Sequence, residues 1–500
     1  MTHYTQLVEK IQQLNDLQKA GAVLSWDRET NMPRAGAAVR TQQMTTLARL
    51  SHQMFTNDEM GELIERAAEE VASAEYDSTP ASLLRLVQRQ YAEARCLPED
   101  FVRRRSEVTG AAHEAWLHAR HEDDFAHFQP HLEAVMELVQ EAAELYGYED
   151  EKYDALLDKF ERGMKTADVR ATFNAVKKAT VPLIHAINER LGAVDDSCLH
   201  QTFPIAQQQA MAPYMATAVG YDLSRGHIGT VTHPFAIGFG KNDVRITTRW
   251  YENFLNAALF GTLHEAGHGL YEQNTHDEFA RTPLARGTSS GIHESQSRMM
   301  ENLVGRSRGF WQRHYGHLQS LFPQALGGVG VEQFYRAINK VQPSYIRVEA
   351  DELTYNMHII LRFELEQALL NGELPVADLP AAWRDKMQAL LGVVPPSNSE
   401  GCLQDVHWSS MLFGYFPTYA LGNLYAALFM ETAVAQNPAI AAELAEGETA
   451  ALVAWLKENI HQHGSKYDAA ELTQRVTGGG LTHEPFVRYV TAKFGEIYGV

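Results

Sequence analysis

A predominantly α-helical fold with one short sheet follows from three observations on this 500-residue sequence. Apolar residues recur at three- and four-residue steps through most of the chain. One stretch, about 228–250, switches to a period of two. No linker, low-complexity run or internal repeat divides the length, so one large lobed unit over residues 1–500 is expected rather than independent domains.

From Tyr4 to about Gly147 the helical pattern is nearly continuous, with breaks around Asn31–Pro33, Thr79–Pro80 and Leu97–Pro98. Helices continue from about Lys152 to Val219, with a turn near Gly192–Ser197. Val244, Ile246 and Thr248 then alternate with Asp243, Arg245 and Thr247, a β-branched strand directly before the next helix. It is expected as an edge strand able to hold an extended peptide, the alternative being a hairpin that only stabilises. Helices resume after Glu294 and run through Val500. The most apolar of them, Tyr419 to Ala435, carries Asn423 and Glu431 and reads as buried core rather than a membrane span.

Composition removes several function classes. A hydrophobic share of 45% with 10% aromatics is that of an ordinary globular protein. The net charge of −20 argues against nucleic-acid partners and means that an anionic substrate group needs local cations. Cys96, Cys198 and Cys402 are scattered without metal-ligand spacing, and Met1 to Leu14 is polar, so a reducing cytoplasm is expected.

The chemistry concentrates in a core at about 251–305. His264-Glu265-Ala266-Gly267-His268 is an H-E-x-x-H segment, and a chance match in a chain with 22 histidines has an expectation on the order of 0.05. It lies in a helix whose apolar face is Leu255, Leu259, Leu263, Ala266 and Leu270. Histidines four apart sit one turn above each other and can converge on one zinc ion, with Glu265 in reach of a water there. That is the signature of a zinc hydrolase of amide bonds.

Catalytic zinc needs a third protein ligand. Glu272 continues the histidine stripe, but three successive turns span about 12 Å of helix axis, too far for bonds of about 2 Å. Position 274 is Asn, so no histidine follows at the six-residue step. Glu294, in Gly291-Ile292-His293-Glu294-Ser295-Gln296-Ser297-Arg298, is the best candidate, with His293 as its rival and an ion pair to Arg298 as the plain structural alternative. Thr288, Ser289 and Ser290 offer caps for that second helix, whose apolar face Met299 and Leu303 would continue; Pro283 and Gly287 supply a turn folding it back on the first.

Further motifs accompany these: His233-Pro234-Phe235, Asp243-Val244-Arg245-Ile246-Thr247, Ile346-Arg347-Val348-Glu349-Ala350-Asp351 and Gly401-Cys402-Leu403-Gln404-Asp405-Val406-His407-Trp408. With the two metal segments, and in this order, they resemble the carboxypeptidase Taq family of zinc metallocarboxypeptidases over essentially the full length. Trp26 to Pro33 also resembles a family segment, with Arg28 where the family commonly has Gln. The resemblance implies that His264, His268 and Glu294 bind one zinc per subunit, that cobalt can substitute, and that Glu265 is the general base and acid. It further implies release of single residues from peptide C-termini, a two-lobed helical fold with a deep active-site groove, and a homodimer.

A carboxypeptidase must also recognise a free α-carboxylate. Arg347 is expected to be the clamp and Arg245 the runner-up, either being otherwise a structural ion pair. Tyr419 is expected to donate to the oxyanion, with Tyr415 and His407 behind it and a core role as the alternative. His233 joins these as a substrate-binding candidate. Asp351 and Glu349 are expected to orient metal ligands, unless they merely favour a helix start. The partners expected are peptides with a free C-terminus, with neither nucleic acid nor membrane. Two competing readings are a zinc endo-oligopeptidase of similar helical fold and a non-catalytic helical interaction protein with a vestigial metal site.

Overall fold

A computed structural model describes residues 2–500, and among the described residues are 21 α-helices and one three-stranded sheet. The expected breaks coincide with helix ends: His3–Thr30 stops before Asn31, and Leu97 and Pro98 separate Thr79–Cys96 from Glu99–Glu122. A further break at Asn57 is not signalled by Pro or Gly. There the Asn57 side chain accepts from the Met60 amide and caps Asp58–Val71. Among the described residues no helix is long and apolar enough to cross a membrane.

Two compact units form, each from three separated segments. The first comprises Met1–Arg95, Asp196–Ile338 and Phe429–Gly479; the second comprises Cys96–Asp195, Asn339–Leu428 and Gly480–Val500.

The sheet belongs to the first unit. Its strands are β1 (Gly226–Thr230), β2 (Ala236–Gly240) and β3 (Asp243–Thr248), in the order β1-β3-β2. β1 runs parallel to β3, pairing Gly226 with Val244, while β2 is antiparallel, pairing Ala236 with Ile246. The strand expected at the edge is therefore central, with both sides of its backbone in ladders. Its alternation does what a period of two requires. Thr248 and Ile246 face the helix Leu255–Gln273, Ile246 in packing contact at Gly269 and Thr248 through a hydroxyl 3.5 Å from the Ala258 carbonyl oxygen. Thr247 faces the other way, towards Trp26 and Thr30 of the first helix across Gly229.

Leu255–Gln273 buries Leu255, Leu259, Leu263, Ala266 and Leu270, the predicted face. The helix Ser290–Arg298 folds back against it, capped by Ser289, whose Oγ accepts from the Ile292 amide at 3.1 Å. Gly267 makes the approach possible: a Cβ there would run into the Gln296 carbonyl oxygen and lie 2.6 Å from Ser297 Cα. Beyond Arg298 the chain continues as a π-helix, Met299–Val304, in place of the plain α-helical face that Met299 and Leu303 suggest.

The second unit is organised around Tyr355–Leu370, a helix buried on nearly all sides. Its polar residues Asn356, His358, Arg362 and Glu366 are all buried; Asn356 pairs with Asn423, Arg362 with Asp405 and Glu366 with Tyr153 and Trp408.

Candidate active site

His264 and His268 lie one turn apart on the first helix, and Glu294 comes from the second. Donor atoms of the three lie within 4.8 Å of one another. Glu294 Oε2 is 3.6 Å from His264 Nε2 and 3.3 Å from His268 Nε2. Tetrahedral bonds of about 2 Å put neighbouring donors about 3.3 Å apart, so the spacing suits a small divalent cation. His293, the rival ligand, is turned elsewhere.

Both histidines are held from behind. His264 Nδ1 lies 2.8 Å from Glu301 Oε2, and His268 Nδ1 lies 2.6 Å from His293 Nδ1. His293 Nε2 in turn meets Glu272 Oε1 at 2.9 Å. Glu272, too distant along the helix to be a ligand, instead closes a relay behind one. On the second helix Arg298 Nε donates to Glu294 Oε1 at 2.7 Å and its NH1 donates to Glu301 Oε2 at 3.2 Å.

The electrostatics suit a cation. Burial opposes ionisation of Glu294, but Arg298 and His264 overcome it and hold the carboxylate well below its ordinary range. Burial would lower His264 too, yet Glu294 and Glu301 outweigh it and raise the imidazole to about 9. Burial lowers His268 to about 4. Glu265 is raised to about 7 by burial, and its Oε2 is buried without a hydrogen-bond partner. Two imidazoles and a carboxylate amid surplus negative charge, with an unpartnered carboxylate oxygen beside them, fit a zinc-class ion.

The other predicted residues fall in two places. In the first unit Arg245 sits on the face of β3 turned away from the metal helix. Its Nε and NH2 bind Asp243 at 2.8 and 2.9 Å, and its guanidinium lies over Trp26 and Phe239. His233 is exposed in the loop between β1 and β2. That loop is tied to β3 by Thr247, whose amide donates to the Phe235 carbonyl at 3.0 Å and whose Oγ1 accepts from the Phe235 amide at 2.7 Å. The two motifs are thus one interlocked structure.

In the second unit Arg347, His407, Tyr415 and Tyr419 come together. The Arg347 guanidinium lies 5.0 Å from the Tyr419 ring, and His407 stacks on Tyr415. Arg347 is buried, and its Nε and NH2 donate to Asp405 Oδ1 at 3.1 and 2.9 Å, while NH1 donates to the Tyr355 hydroxyl at 3.1 Å. Asp405 Oδ2 accepts from Nε of Arg362 at 2.7 Å. Burial opposes the Asp405 charge, but Arg362 and Arg347 prevail and hold its carboxyl well below the usual range. Burial lowers His407 to about 4. Asp351 and Glu349 do not orient metal ligands. Asp351 accepts from the Gln342, Leu353 and Thr354 amides, Glu349 is exposed, and the ring nitrogens behind the ligands are served by Glu301 and His293.

Sequence reasoning missed Glu301, Arg362 and Tyr355, and named Arg298 only as an ion-pair partner of Glu294. Glu294, Arg298 and Glu301 stand at i, i+4 and i+7, and Tyr355 and Arg362 at i and i+7, which are one-face spacings in a helix.

A family model described as Carboxypeptidase Taq (M32) metallopeptidase matches residues 6–494. The chain belongs to this family. Thermostable carboxypeptidase 1 of Thermus thermophilus is 42% identical over 99% of both chains, and that of Pyrococcus furiosus is 37% identical over 98% of both. A crystal structure of the M32 carboxypeptidase from Deinococcus radiodurans superposes with a TM-score of 0.96 at 39% identity, covering all of both chains. The protein is therefore a metallocarboxypeptidase, a hydrolase that acts on peptides with a metal ion.

Proposed function

We propose that the protein releases single amino acids from peptide C-termini with a zinc ion held by His264, His268 and Glu294. The observation that carries this reading is the convergence of those donors beside the Glu265 carboxylate, whose Oε2 is buried without a partner. These residues would hold the cation, which when bound would supply Lewis acidity to lower the pKa of a water towards about 7 and polarise a carbonyl. Glu265 takes a proton from the attacking water and returns it to the departing amine. Glu301 and His293 keep the imidazoles turned so that Nε2 faces Glu294.

Arg347 binds the substrate α-carboxylate. A guanidinium has five N–H donors. Three of them serve Asp405 and Tyr355, which leaves one on each terminal nitrogen. Asp405 is shared with Arg362, so two guanidiniums stand on one carboxylate and the cluster favours an incoming anion. Arg245, satisfied by Asp243, is the weaker candidate. Tyr419 donates to the oxyanion of the tetrahedral intermediate, with Tyr415 and His407 meeting its ring edge-on, and His233 contacts the peptide from its loop. The family resemblance supports extending the reading to one catalytic domain over 1–500, a homodimer with one zinc per subunit that cobalt can replace, and a cytoplasmic location.

Digestion of matched peptides with free and amidated C-termini, followed by mass spectrometry, tests the proposal. Masses should fall one C-terminal residue at a time on the free peptide alone. Internal cuts on both peptides would identify an endopeptidase instead, and no cleavage of either, with no bound metal, a vestigial site.

A further inference from the structure

Glu294 offers its two oxygens unequally. Oε2 faces both histidine Nε2 atoms, at 3.6 and 3.3 Å, and accepts only from the Ser297 hydroxyl at 3.0 Å, a single neutral donor that it shares with the Glu294 carbonyl oxygen at 2.7 Å, whereas Oε1 is held by the charged Arg298 Nε at 2.7 Å. The same guanidinium reaches Glu301 Oε2 at 3.2 Å, the oxygen that lies 2.8 Å from His264 Nδ1. One side chain therefore braces the carboxylate ligand directly and a histidine ligand through Glu301. It can do so because Arg298 stands four residues after Glu294 and three before Glu301, where the π-helix begins. Arg298 is itself only 12% exposed in its side chain, so water cannot readily take its place.

We propose that Arg298 is a positioning residue that makes Glu294 a one-oxygen ligand and thereby sets both the affinity and the coordination number of the cation. A carboxylate with both oxygens unengaged can chelate through both, as larger oxygen-loving cations prefer. With Oε1 occupied, the triad presents three donors and keeps positions for water and substrate, the arrangement of a catalytic zinc site. The inference rests on the reading that His264, His268 and Glu294 hold the cation.

Full-length wild type, R298M and R298K, each stripped with chelator, are titrated with zinc against a chromophoric chelator, and their cobalt-loaded forms are compared by visible absorption. R298M is expected to bind zinc about 10–100-fold more weakly, the range for loss of an outer partner. Its cobalt bands should be weaker, because absorption falls as coordination number rises. R298K keeps the charge but not the planar fork. It should recover part of the affinity and part of the band intensity. Unchanged zinc affinity with an unchanged cobalt spectrum in R298M overturns the proposal. If R298M does not fold, an R298K spectrum identical to wild type overturns it equally. A wild-type chain that binds no zinc refutes the triad itself, an outcome read before either variant is made.

Discussion

Two buried carboxylates, Glu294 in the first unit and Asp405 in the second, are both held ionised against burial, but they keep opposite company. Glu294 spends one oxygen on a guanidinium and turns the other, which accepts only from the Ser297 hydroxyl, to two imidazoles, with Glu265 and Glu301 nearby. Asp405 spends both oxygens on guanidiniums. The first arrangement leaves a lone pair and negative surplus for a cation. The second leaves N–H donors and positive surplus for an anion. The same carboxylate group, changed in what flanks it, thus suits a cation in one place and, on the proposed reading, supports an anion clamp in the other.

The sharpest way to break that contrast is to remove chemistry from the first region without touching the three side chains proposed to hold the metal. E265Q is expected to lower kcat by on the order of 10²–10⁴-fold, the usual worth of a general acid–base group. Zinc content should stay at wild-type level. Near-normal turnover in the loaded variant would remove Glu265 from the mechanism. In the second region R347M should raise KM for peptides with a free C-terminus by on the order of 10–100-fold, the worth of a charged hydrogen bond. C-terminally amidated peptides, which lack the anion, should be hardly affected. Equal losses on both would make Arg347 a structural ion pair and dissolve the comparison.

The two regions also differ in how far the sequence discloses them. The proposed metal ligands fall within His264 to Glu294, on two adjacent helices, so helical spacing nominates the two histidines, while the family resemblance favours Glu294 over His293. What spacing could not give was the outer partners: His293 looks like a rival ligand in a one-dimensional string, Glu272 is merely excluded as one, and only the fold turns them into a relay behind His268. The arginine cluster draws on residues 347, 355, 362 and 405, and nothing local says that Asp405 will meet Arg362 in a helix buried all round. Arg347 could be nominated from its motif, but its unused donors could not be counted. The β-branched strand was legible as a strand but not as a central one, because pairing order is a tertiary fact.

Packing supplies a smaller test. Gly267 lies between the histidines of the metal helix, and any Cβ there meets the backbone of Gln296 and Ser297. G267A should destabilise the fold by about 1–3 kcal/mol, as overpacking does. It should also weaken zinc binding, because it displaces Glu294 from the histidines; urea unfolding and zinc competition read the two effects. Loss of stability with full zinc affinity would mean that the second helix can shift without moving its ligand.

The smallest effect concerns a third buried carboxylate, Glu366, which accepts from Tyr153, Trp408 and the Gly414 amide at 2.6, 2.8 and 3.1 Å. Burial dominates those bonds and raises its pKa to about 7, opposite in direction to Asp405 in the same unit. A raised carboxyl pKa means that the folded state binds more protons than the unfolded chain between the ordinary value of 4.5 and about 7. Its contribution to stability is therefore fully present below about 4.5 and lost as pH rises through about 7. That of Asp405 is present above its ordinary value of 3.8 and lost as pH falls towards its depressed folded value. Melting temperature measured from pH 5 to 8 should fall less steeply in E366Q than in wild type, since the amide does not titrate. The slope is the readout, because three donors face position 366 and an amide satisfies fewer of them at any pH. Parallel slopes would mean that Glu366 stays ionised across the range, its three donors outweighing burial as the two guanidiniums do at Asp405.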